Sequence, residues 1–85
     1  MPAREELIAL LNAFMQSLAA YENTLPNSPA VRAAAEAARA EAEKPSPRWR
    51  VIRSSLKGIA ASVASVAALT DAINNLEALV ARIAR

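Results

Sequence analysis

The chain of 85 residues has no cysteine and no histidine. Without cysteine there is no disulfide and no thiolate metal site. Without histidine the commonest general base and the commonest metal ligand are missing. A single glycine excludes a glycine-rich phosphate loop. The carboxylates Glu5, Glu6, Glu22, Glu36, Glu41, Glu43, Asp71 and Glu77 contain no Glu-x-x-His element, so the four-helix di-metal pattern is absent. Glu36 and Glu43 lie beside Arg32 and Arg39 in sequence, as expected of a solvated charged face. These absences predict no catalytic, cofactor-binding or metal-ligating residue, no cofactor, and a protein that is not an enzyme.

Hydrophobic runs are also short. The uncharged stretch Gly58 to Thr70 is 13 residues, against the roughly 18 that a spanning helix needs. The opening Met1-Pro-Ala-Arg-Glu-Glu lacks the pattern of a targeting segment. The expected location is the cytoplasm.

Alanine is abundant. Of the hydrophobic 54%, 22 of 46 residues are alanine, which favours helix but buries little area. The net charge of +2 is unevenly placed. Residues 1–47 carry four basic and six acidic groups, and residues 48–85 carry six basic and two acidic groups. That asymmetry suits either contact between the halves or an acidic partner.

Apolar periodicity places three helices in one domain, 1–85. Helix 1, about 3–23, has the stripe Leu7, Leu11, Phe14, Leu18, Tyr21, widened by Ile8, Leu10 and Met15. Two prolines and two asparagines in 23–29 end it. Helix 2, about 29–44, starts at Ser28 as N-cap with Pro29 behind it, and has only Val31 as a large apolar residue. Ser46-Pro47 repeats that start for helix 3, about 47–84.

Helix 3 carries the clearest signal. Ile52, Leu56, Ile59, Val63, Val66, Leu69, Ile73, Leu76, Val80 and Ile83 follow steps of 4, 3, 4, 3, 3, 4, 3, 4, 3. A helix of that length spans roughly 55 Å and exposes more apolar seam than helices 1 and 2 can cover. The consecutive steps of three at Val63, Val66 and Leu69 interrupt the heptad, and Gly58 marks a possible bend. The fold class expected is all-α: a three-helix up-down-up hairpin bundle with a long C-terminal helix, a bend near Gly58 being the alternative to a straight one, coiled-coil-like and oligomeric. Burial across subunits is assigned to Leu7, Leu11, Phe14, Leu18, Ile59, Val66, Ile73, Leu76, Val80 and Ile83.

Three further groupings stand out. Arg48, Arg50, Arg53 and Lys57 flank Trp49, and the last three share a helical face. They are candidates for anion or nucleic-acid contact, against the structural alternative of pairing with Glu36, Glu41 and Glu43. Gly58, Ala61, Ser62, Ser65, Ala68 and Ala72 form a small-residue stripe suited to close packing on the alanine-rich helix 2. Asn74 and Asn75 read as surface residues, with register control at an interface as the alternative.

Glu43-Lys-Pro-Ser-Pro-Arg-Trp-Arg-Val-Ile-Arg-Ser-Ser-Leu-Lys-Gly-Ile and the small residues that follow, to Leu69, resemble a small C-terminal helical module of uncharacterised bacterial conflict and defence proteins. That resemblance covers about a third of the chain and implies an adaptor or assembly module, with no transferable site residue. The function expected is therefore a non-enzymatic protein–protein interaction or oligomerisation module, working as a homo-oligomer or with a protein partner. The alternatives are a small nucleic-acid-binding protein using the Arg48–Lys57 stripe, and a membrane-active helical protein.

Overall fold

The computed structural model describes the backbone of residues 2–83 and the side chains of residues 4–83. Four helices follow one another: α1 (Pro2–Ala19), α2 (Ser28–Ala42), α3 (Trp49–Ser62) and α4 (Ala67–Ile83). Among the described residues there is no strand.

In α1, Leu7, Leu11, Phe14, Met15 and Leu18 point inward, as their helical spacing requires. The chain leaves α1 through tightened turns, with Ala20 N–H donating to the Ser17 carbonyl and Tyr21 N–H to that of Leu18. Leu25 then plugs the core from the connection. The buried face of α2 is mostly alanine: Val31, Ala35, Ala38 and Ala42. Its N-cap is Asn27, not the expected Ser28, and no side chain caps it. Ile52, Leu56 and Ile59 line the inside of α3, and Leu69, Ile73, Leu76, Leu79 and Val80 that of α4.

The helices form a ring. α1 packs on α2 and α4, α3 packs on the same two, and the diagonal pairs do not meet. Short connections make sequence neighbours antiparallel, so the start of α1, the end of α2, the start of α3 and the end of α4 share one end of the bundle. A hydrogen bond from Arg4 Nη1 to the Lys44 carbonyl, 3.0 Å, ties that end together. The radius of gyration is 11.9 Å, matching the roughly 12 Å of a globular chain of this length.

The expected single helix over 47–84 is corrected here, and with it the three-helix count. Residues 63–66 form a turn between α3 and α4. The long dimension is 35 Å, well under the roughly 55 Å of an unbroken rod. The turn falls at the interruption in the heptad and not at Gly58, which lies inside α3. Ala84, the expected end of helix 3, lies outside the described residues. Folding back has a plain physical cause. α1 and α2 have 18 and 15 residues, and each half of the C-terminal segment, at 14 and 17, matches them in length. The seam residues then find cover within one chain, complete except at Val66 and Ile83.

The assignment of the seam to subunit association changes accordingly. Leu7, Leu11, Phe14, Leu18, Ile59, Ile73, Leu76 and Val80 are each at most 1% exposed. Val66 and Ile83 are half-buried against the same core. The small-residue stripe is corrected too: Gly58 is exposed, and nothing approaches within 4 Å of where its Cβ would be. Its neighbours Ala61, Ser65 and Ala68 are exposed as well.

Candidate functional site

Glu41 organises the shared end of the bundle. Its residue is only 4% exposed, on a turn of α2 that faces the α2–α3 connection. Its Oε2 accepts the Arg48 backbone N–H at 2.9 Å and Arg48 Nε at 3.3 Å. Its Oε1 accepts Arg48 Nη2 and Lys44 Nζ, each at 3.0 Å. A carboxylate borrowed from the preceding helix thus serves the start of α3, where the expected Ser46-Pro47 cap is not used. Arg48 is the N-cap, in an extended conformation, and no cap side chain bonds back. A negative charge at a helix N-terminus is favourable, and the Arg48 fork makes a bidentate, charge-assisted contact.

The Arg48 side-chain contact, then the Arg48 backbone N–H and the Lys44 ammonium, hold the Glu41 carboxyl at about 2, down from 4.5. The same contact raises the Arg48 guanidinium above its ordinary value. A depressed acid stabilises the fold fully above its unfolded value, and that contribution is lost as pH falls through the folded one. The stability of the wild type should therefore decline from about pH 4.5 toward pH 2. Thermal melts of Glu41→Gln should show a lowered midpoint at neutral pH and a gap to the wild type that closes in acid. A gap that is constant with pH would remove this role.

The other cations divide into two sets. On the α1/α2 side each is engaged: Arg32 pairs with Glu22 at 2.8 Å, Arg39 donates to Asn12 Oδ1 at 2.8 Å, and Lys44 and Arg48 meet on Glu41. On the α3/α4 side, Arg50, Arg53, Lys57 and Arg82 are exposed. None of the four has a salt bridge or side-chain hydrogen bond among the described residues. Of the four candidates for anion contact, Arg48 is thus occupied, and the expected pairing with α2 carboxylates holds for it alone.

Arg53 and Lys57 line a cleft of about 210 Å³ between α3 and α4, with Leu56, Glu77, Val80 and Ala81. Arg82 follows in the last turn of α4, at the same end of the bundle. Trp49 is half-buried and packs against the core. Asn74 and Asn75 are both exposed. Glu77 was not legible as a neighbour of the stripe, because a continuous helix would hold Lys57 and Glu77 about 30 Å apart.

The first turn of α3 has no acidic residue of its own and carries Arg50, so the favourable negative charge at that helix start comes from Glu41 of α2. Among the described residues no three carboxylates gather into a metal-binding group, and no helix is long and apolar enough to cross a membrane. A family model described as "Family of unknown function (DUF5955)" matches residues 1–84. No curated protein and no solved structure matches the chain.

Proposed function

The chain belongs to that family of unknown function, and from the geometry of its basic face we propose a non-enzymatic interaction module that docks an acidic protein surface. The docking residues are Arg50, Arg53 and Lys57, which share the outer face of α3. One observation carries this reading: cations on the α1/α2 side are each engaged within the chain, while these three are exposed and have no salt bridge or side-chain hydrogen bond among the described residues. The resemblance of residues 43–69 to the trailing module of bacterial defence proteins points the same way, toward an adaptor.

The same cations suit phosphates, but two features weigh against nucleic acid. Trp49 packs inward and is not displayed for base stacking. Residues 50–57 span only about 10 Å along α3, enough for two or three phosphates and short of an extended track.

The test is fluorescence anisotropy with a labelled glutamate-rich peptide and, separately, a labelled oligonucleotide, each at low and high salt. The peptide should bind in a salt-sensitive manner. Combining Arg50→Glu, Arg53→Glu and Lys57→Glu should weaken it by about tenfold or more, given up to about 1 kcal/mol per exposed ion pair, with helical content unchanged. Absence of peptide binding, or binding that the triple variant retains, overturns the proposal. Tighter binding of the oligonucleotide than the peptide replaces it with the nucleic-acid reading.

A further inference from the structure

The turn between α3 and α4 has an unusual make-up for a tight reversal. Val63, Ala64, Ser65 and Val66 include neither glycine nor proline. Among the described residues no backbone has positive φ, and Val63 sits at φ −108°, ψ 13°, a short rotation from helical values. All four residues are compatible with a helix. Few bonds close the turn. The Val63 carbonyl accepts Val66 N–H at 2.9 Å and Thr70 Oγ1 at 3.1 Å. Both would give way to an ordinary i→i−4 bond if the helix ran on.

The apolar seam runs through this turn without losing helical spacing. At 100° per residue the inward faces of α3 and α4 differ by roughly a third of a turn in a straight helix. A left-handed supercoil absorbs about 20° per heptad, roughly half of that difference over the three heptads from Ile52 to Ile73. Two open chains lying antiparallel would take up the rest as a rotation of one four-helix lobe against the other, each α4 docking on the α1 and α3 of the other chain.

We infer that residues 63–66 are a hinge that opens into a continuous α3–α4 helix, so that a second copy of this chain completes the bundle by exchanging α4. Core contacts are identical in the closed monomer and the exchanged dimer. The balance rests on the two hinges and on protein concentration, which is the usual low-cost route to a swapped dimer. This assembly is independent of the basic face and needs no exposed apolar patch.

The experiment is light scattering on protein refolded from denaturant over a range of concentrations. A species of about twice 9.0 kDa should grow with concentration and keep the helical signal of the monomer. Ser65→Ala with Thr70→Ala removes a turn bond and raises helix propensity. It should increase the association constant about tenfold or more, because each dimer opens two turns. Ala64→Gly with Ser65→Gly should lower it by a similar factor.

A side-by-side dimer is distinguished by mixing a Lys57→Cys chain with a Glu77→Cys chain, refolding them together and adding a short thiol-reactive crosslinker. These residues face one cleft, so a cross-chain product arises from exchange. Monomers throughout, in the wild type and in both hinge pairs, overturn the inference. So does a dimer that yields no cross-chain product.

Discussion

Ile73→Asp should abolish the helical far-UV signal at room temperature and leave an unfolded chain, not a dissociated folded one. Ile73 is completely buried on α4. Removing a buried isoleucine side chain costs about 2–5 kcal/mol, and an unpaired carboxylate in the same place adds several more. A chain of this size has about 4–13 kcal/mol in total, so the sum is of the same size as the whole. The result separates two pictures. Had the seam been a contact between subunits, the variant would become a folded monomer. With the seam inside the bundle, no folded species survives. A monomeric Ile73→Asp protein with intact helicity would sink the four-helix assignment.

Phe14→Ala is expected to have the second-largest effect, a loss of about 3–5 kcal/mol. Phe14 is the only phenylalanine, is 1% exposed, and is the largest of the fully buried side chains. α2 contributes mainly alanine to the core, so few large side chains remain to refill the space. A cavity that cannot collapse lies at the upper end of the range. At about 4–8 °C per kcal/mol, the melting midpoint should drop by about 15–30 °C or more while the cold protein stays helical. A drop of only a few degrees would mean that the interior repacks freely.

Much of this was legible from residue spacing. The stripes Leu7–Leu11–Phe14–Leu18 and Leu69–Ile73–Leu76–Val80 are buried as their periodicity requires, since an apolar helix face has to leave water whatever covers it. The prolines at 26, 29, 45 and 47 lie in or beside the first two connections, because their rings fit poorly inside a helix. The basic stripe Arg50–Arg53–Lys57 was likewise visible as one face. Other details depended on neighbours far along the chain. Arg48 looks like its companions in sequence, and only the approach of Glu41 from α2 removes it from the set. Thr70 gives no hint that its hydroxyl closes the end of α3.

By itself, the order of residues determined that the chain is helical, which faces of the helices are apolar, and that histidine and cysteine chemistry is absent. These follow from local propensity, side-chain period and composition. Tertiary structure alone decided that the C-terminal segment reverses at residues 63–66. No helix-breaking residue demands a turn there, and periodicity says which side is apolar without saying what covers it. Reversal prevails because segments of 14 and 17 residues can be covered by α1 and α2, whereas an unbroken rod would leave part of its seam in water. The same reversal lays α4 against α3 and so forms the cleft that Arg53 and Lys57 line with Glu77.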